Sequence, residues 1–123
     1  MVSRARAAAR IVEVLDSPGL RALAEPARLE VLRVLLLLGP ADIGALASHL
    51  PRDRSVVSRH LKTLEDAGLV RAERDGRHRI YELDGAAFIG ALERVLGETR
   101  ALAAVCCPPA AALPVVEPAR RRT

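Results

Sequence analysis

The chain predicts a mainly α fold that carries one small β-hairpin. Three observations lead there. Half of the 123 residues are apolar, yet the aromatic residues are one Phe and one Tyr, so a core must be built from Leu, Val, Ile and Ala. Such a composition favours helices. Apolar positions recur at helical spacing in segments bounded by Pro, Gly or Asp. Asp75-Gly76 sits between two short runs of strand-like residues. It is a two-residue hairpin signal, because both central positions of such a turn favour positive φ.

The elements follow in order. Residues 4 to 16 read as a helix with Ile11, Val12 and Leu15 on one face and Arg4, Arg6 and Arg10 elsewhere. Pro18-Gly19 breaks or kinks it. Glu25-Pro26 starts the next helix, since Pro suits a first helical turn. ARLEVLRVLLLL then runs to Gly39, a C-terminal stop. It is apolar nearly all round, which predicts a central, buried helix. Asp42 caps a short helix, IGALASHL, that ends at Pro51. Ser55 caps a helix to Ala67, with Gly68 as the stop. Strands are expected at about Val70 to Arg74 and Arg77 to Leu83. Residues 86 to 105 form a last helix whose Phe88, Ile89, Leu92, Val95, Leu96 and Leu102 lie mostly on one side. Residues 1–105 are then one domain, and 106–123 hold a cysteine pair and a Pro/Ala/Arg tail expected to be disordered. There are no internal repeats.

Charge narrows the function. Net charge is +4 with a pI near 10.0, and every cation but Lys62 among the 19 Lys and Arg is arginine. That balance suggests an anionic partner. Scarce aromatics argue against single-strand binders that stack bases. No apolar stretch approaches the ~20 residues of a membrane span. The arginine-bearing N-terminus is interrupted by Glu13 and Asp16, unlike a targeting peptide, so the protein is expected in the cytoplasm. Two adjacent cysteines are not a secreted disulfide framework. There is no phosphate loop, nucleophile–base arrangement or apolar-set carboxylate pair, so an enzyme is not expected. No constitutive cofactor is expected either.

The segment from 55 to 83 carries the functional signal. With Val57 at the centre of the buried face, Leu61 and Leu64 fall beside it at 100° per residue. Ser55, Arg59, Lys62, Thr63 and Asp66 point the other way, Val56 and Ser58 flank them, and His60 lies near the core edge. Joined to the preceding helix by a short turn, this is a helix-turn-helix. A recognition helix places its N-terminal residues against base edges in the major groove. Arg59 suits a bidentate contact to guanine, Ser55 and Ser58 suit bases or phosphates, and Val56 suits a thymine methyl. Lys62 and Thr63 suit phosphate. The hairpin brings Arg71, Arg74, Arg77, His78 and Arg79, fit to straddle backbone or enter the minor groove. His49, Glu25 and Asp42 receive no functional role.

LRALAEPARLEVLRVL, SVVSRHLKTLEDAGLV and RDGRHRIYEL together resemble the ArsR/SmtB family of bacterial winged-helix repressors, over about residues 20 to 83. The resemblance implies a winged helix-turn-helix that dimerises through its first and last helices. It implies a homodimer that represses an operon from a palindromic double-stranded DNA operator and lets go when a metal or other inducer binds. Its DNA-contacting positions fall on Ser55, Ser58 and Arg59, with the hairpin 74–79 in support. The two terminal helices also carry more apolar surface than a small three-helix core can cover. Pairing them across a two-fold buries it and spaces two recognition helices by about one duplex turn.

Cys106-Cys107 is the candidate metal site. The cysteine pattern of some arsenic sensors of the family would fall at Asp42 and Gly44, and is absent. The His/Asp pattern of zinc sensors needs His between 84 and 105, where none exists. VCCPP resembles instead a subgroup of arsenic and antimony sensors with a vicinal pair at the end of the last helix. Adjacent Cα atoms lie ~3.8 Å apart, short of the ~4.4–6.8 Å of an unstrained disulfide. Both thiols can nonetheless close on one soft ion. The family holds arsenite with three thiolates, and this chain has two. The third ligand is then water, a small thiol or a cysteine of the other protomer, or the inducer is an organoarsenical that needs only two. A redox or persulfide signal, no small-molecule signal, or a winged helix used for protein contact are the rival readings.

Overall fold

A computed structural model describes residues 3–107 and orders them as six helices and one hairpin: α1 (Arg4–Leu15), α2 (Pro18–Ala22), α3 (Pro26–Leu38), α4 (Ile43–Ala47), α5 (Arg54–Asp66), β1 (Val70–Asp75), β2 (His78–Leu83) and α6 (Gly85–Cys106). The Pro/Ala/Arg tail expected to be disordered lies outside the described residues.

Short polar side chains set the helix starts. The amide of Arg6 donates to Ser3 Oγ, that of Ala45 to Asp42 Oδ1 and that of Ala87 to Asp84 Oδ1. Each satisfies an amide that the helix leaves orphaned. The end of α5 is a Schellman motif. Gly68 takes φ +79, its amide donates to Glu65 O and the Leu69 amide donates to Leu64 O. Leu64 and Leu69 are both buried, so the motif carries its usual apolar contact and turns the chain into β1.

The core gathers Val31, Val34 and Leu35 of α3, Leu46 of α4, Val57, Leu61 and Leu64 of α5, then Leu69, Val70 and Tyr81. Val57, Leu61 and Leu64 are fully buried, as the helical wheel requires. Ala41 and Tyr81 exchange two backbone hydrogen bonds, of 3.0 and 2.8 Å. They pin the α3–α4 turn to the hairpin. α1 and α6 form a second layer, where Ala7 and Ile11 are buried.

Four expectations change. Pro18-Gly19 does not simply break the chain, because Ser17 caps a helical turn that begins at Pro18. α3 is buried on one side only. Leu36 and Leu37 remain 55% and 69% exposed because α4, α5 and β2 all pack against the opposite face. The cap of α5 is Asp53 rather than Ser55, so Arg54 becomes the first helical residue. The hairpin turn is centred on Gly76-Arg77, because Asp75 pairs with His78. Only Gly76 takes positive φ, and glycine at the first central position is what a type II′ turn requires.

Candidate nucleic-acid interface

Two elements present cations on one side of the molecule. On α5, Ser55, Arg59 and Lys62 are exposed, and Val56, Ser58 and Thr63 are half-buried. Thr63 Oγ1 donates to Arg59 O at 3.1 Å, which holds its hydroxyl against the helix. Lys62 reaches Asp66 at 3.4 Å, a loose surface pair. Beside α5 the hairpin carries Arg74, Arg77, His78 and Arg79, all exposed.

A recess of about 450 Å³ joins the two elements and is lined by Arg54, Ser55, Ser58, Arg77, His78 and Arg79, with Asp42 at its edge. Arg54 was missed by sequence reasoning. It enters the recess because α5 starts at Asp53. Asp53 and Ser55 are both competent caps, and only the backbone geometry chooses between them.

Ion pairs fix how the hairpin sits. Arg79 meets Glu65 of α5 at 2.6 Å, and its guanidinium lies 5.8 Å over the Tyr81 ring. The hydrogen bond and charge of Glu65 raise the pKa of Arg79 further. His78 Nδ1 lies 3.0 Å from Asp42 Oδ2. The Ala45 amide holds the Asp42 carboxyl below its usual range, helped by His78 and Arg54 and opposed by burial. Across the strands Arg71 pairs with Glu82 at 2.8 Å, and the two stand directly opposite in the register. Arg79 and His78 therefore tether the hairpin to α5 and α4, while Arg59, Arg74 and Arg77 project without a described ion-pair partner.

The cysteine pair stands apart from this face. Cys106 ends α6, and Cys107 caps it in an extended conformation, its amide donating to Ala103 O. Both are free thiols, Cys107 exposed and Cys106 half-buried, with their sulfurs 2.7 Å apart. The hydrogen bond shared with the Cys106 sulfur, then burial, raises the Cys107 pKa, and nearby Arg4 opposes the rise. Arg4 Nη2 also donates to Val105 O at 3.4 Å, linking the start of α1 to the end of α6. Among the described residues no group of three His, Cys, Asp or Glu is placed to share a metal ion. Thiol sulfur is the donor type that a soft ion takes.

Known proteins resemble this chain in sequence and in fold. The family model described as HVO_A0114 matches residues 23–83. The HTH-type transcriptional regulator CmtR of Mycobacterium tuberculosis is 46% identical over 78 residues, which span 63% of this chain and 62% of CmtR. The chain thus matches somewhat less than two thirds of that relative's length. The ArsR-like transcriptional regulator from Rhodococcus sp. RHA1 is 30% identical with a TM-score of 0.56, over 79% of this chain and 90% of that one. The homodimeric winged helix-turn-helix DNA-binding domain Mb0332 from Mycobacterium bovis is 27% identical with a TM-score of 0.53, over 85% and 90%. With its helix-turn-helix, its cationic hairpin wing and these relatives, the chain belongs to the ArsR/SmtB family of winged helix-turn-helix transcriptional regulators, which are not enzymes.

Proposed function

We propose that the protein is a DNA-binding transcriptional repressor that acts as a homodimer and releases its operator when a trivalent arsenic or antimony species binds Cys106 and Cys107. The observation that carries the DNA reading is the joint placement of the α5 N-terminus and the wing around one cationic recess. Arg59 and Ser55 read base edges, and Ser58 and Val56 support them. Arg54, Lys62, Arg74 and Arg77 hold phosphate, and His78 and Arg79 set the wing's angle.

Dimerisation is supported by the apolar residues that α1 and α6 leave uncovered. Val12, Leu15, Ile89, Leu92 and Leu96 are 48–63% exposed. The homodimeric state of Mb0332 supports the same reading. A two-fold through this face suits two successive major grooves, ~34 Å apart. The DNA-binding and dimerisation work falls to residues 1–105 and sensing to the segment from 106 onward. We place the protein in the cytoplasm, as a DNA-binding regulator requires; no described helix is long and apolar enough to cross a membrane.

The two-thiol site favours a methylated arsenical over inorganic arsenite. Two thiols and one methylarsonous acid, CH3As(OH)2, give two S–As bonds and two waters, with no change of oxidation state. A duplex from the protein's own promoter tests both halves. Binding should weaken steeply with salt, and methylarsenite should release the wild type but not the Cys106→Ser/Cys107→Ser variant. Release of that variant refutes the sensor. Salt-independent binding refutes the phosphate contacts and favours a protein partner.

A further inference from the structure

A recess of about 830 Å³ lies where the end of α1, the start of α2, the end of α5 and the first half of α6 meet. It is set apart from the DNA-binding face, since Asp66 at its border stands ~18 Å along α5 from Arg54. It is set apart from the apolar face of α6 as well. Going round that helix at 100° per residue, Ala87, Gly90, Ala91 and Arg94 face the recess, while Ile89, Leu92 and Leu96 fall on the opposite side. The partner protomer proposed above covers the second set and leaves the recess open.

Val14, Pro18, Leu69 and Ala91 wall the recess, and Gly90 faces it without a side chain, where a Cβ would meet nothing within 4 Å. The volume falls within the ~300–1,000 Å³ of small-molecule sites, which pair mostly apolar walls with a few polar groups. Here those groups are Glu13, Asp66 and Arg94, all exposed. Charge then selects the ligand. α1 and α5 both end at the recess, and neither carries a basic residue in its last turn, so two negative helix ends stand uncompensated there. Two carboxylates outnumber one guanidinium, and the Lys62 contact to Asp66 is loose at 3.4 Å. We propose that this recess is a second small-molecule site, distinct from the cysteines, that takes an organic cation with an apolar body. The walls hold the body, Glu13 and Asp66 attract the positive centre, and Arg94 limits that attraction. Because the recess joins α6 to the end of α5, occupancy and duplex docking shift each other's affinity by one common factor. That linkage alone rests on the DNA reading above.

Calorimetric titration of the full chain with tetraphenylphosphonium and with tetraphenylborate tests the site, since the two ions share size and shape and differ in sign. The cation should bind once per protomer, at least about tenfold more tightly than the anion. Glu13→Gln/Asp66→Asn should weaken it by about three- to tenfold, and Arg94→Gln should tighten it. Gly90→Phe should fill the recess and abolish binding while still melting cooperatively. Cys106→Ser/Cys107→Ser should bind the cation as the wild type does. No binding of the cation, equal affinity for both ions, or undiminished binding by the Glu13/Asp66 variant overturns the site, and that variant decides the matter if Gly90→Phe does not fold. Saturating promoter duplex should shift the cation's affinity by about threefold or more. An unshifted affinity overturns the linkage and leaves the site standing, whereas absence of duplex binding overturns the DNA reading and the linkage with it.

Discussion

Glu65 offers a test in which two readings of the wing predict opposite signs. Removing a carboxylate from a DNA-facing surface ordinarily tightens binding, because it lowers repulsion with phosphate. Glu65, however, holds Arg79 at 2.6 Å, and the two side chains are 25% and 57% exposed. A pair this exposed adds little to stability, because solvent screens it, so its effect is on where the wing sits. The Tyr81 ring beneath Arg79 adds a further weak attraction at such an exposed site. Releasing the pair lets the wing pivot on its remaining ties, Asp42–His78 and the Ala41–Tyr81 bridge. Arg74 and Arg77 then lose their fixed distance from α5. Glu65→Ala should therefore weaken operator binding by about two- to fivefold, which corresponds to ~0.4–1 kcal/mol. Arg79→Ala should do the same, and the double variant should be no worse than either single one. Fluorescence anisotropy near physiological salt reads all four proteins. Tighter binding by Glu65→Ala, with a separate additive loss in Arg79→Ala, would show that Arg79 meets phosphate directly and that the tether is wrong.

Other perturbations follow from single side chains. Leu64 is fully buried and joins α5 to Leu69, so Leu64→Ala should cost ~2–5 kcal/mol, read as a lower denaturant midpoint at unchanged slope. A Cβ on Gly44 would overlap the Arg54 guanidinium, whose flexible end can swing away. Gly44→Ala should thus weaken DNA binding severalfold with little change in melting temperature, and a large melting shift would contradict that account. Because the folded pKa of His60 lies below its ordinary 6.5, the unfolded chain binds more protons in that interval. Stability should be fully present above pH 6.5 and fall as pH drops through the lowered folded value, and His60→Gln should lose that slope in melting scans. Leu92, 48% exposed on α6, should be covered in the dimer. Leu92→Glu should elute as a monomer and lose operator affinity, and a dimeric elution would place the interface elsewhere.

Much of the fold was legible because local chemistry and periodicity agree. Val57, Leu61 and Leu64 recur on one helical face, Asp42 precedes a short apolar run, and Gly39 and Gly68 stand where helices must stop; each signal operates within a few residues. What the sequence concealed depends on distance. Arg79–Glu65 joins residues 14 apart, and no spacing rule distinguishes that glutamate from its neighbour Asp66. The Asp42–His78 pair spans the α4 start and the wing tip, so Asp42, read only as a cap, also sets the wing. The turn shift at Gly76 has a different cause. Asp-Gly permits two positive φ values, but a turn with glycine first needs only one, and Asp75 gains a strand pairing by staying extended. The leucines of α3 failed for a third reason. A helix apolar all round is buried only if something covers every side, and periodicity cannot say what lies opposite Leu36 and Leu37.

The same geometry bears on how a guest at the cysteines would reach DNA under the proposed sensing role. α6 springs directly from the end of the DNA-binding unit, since the Asp84 amide donates to Leu69 O at 2.9 Å and Leu69 closes the Schellman cap of α5. Its 22 residues make a rod ~33 Å long with Cys106 at the far end. A tilt of ~5° about the near end moves the far end by ~3 Å, more than the ~1–2 Å shifts by which packed helices change state. Within one protomer the Arg4–Val105 hydrogen bond and the buried Ala7 and Ile11 resist such a tilt. The coupling therefore acts through the α1–α6 layer and the spacing of the two recognition helices. The internal shape of each DNA-binding unit need not change, and the fully buried Val57, Leu61 and Leu64 hold it rigid.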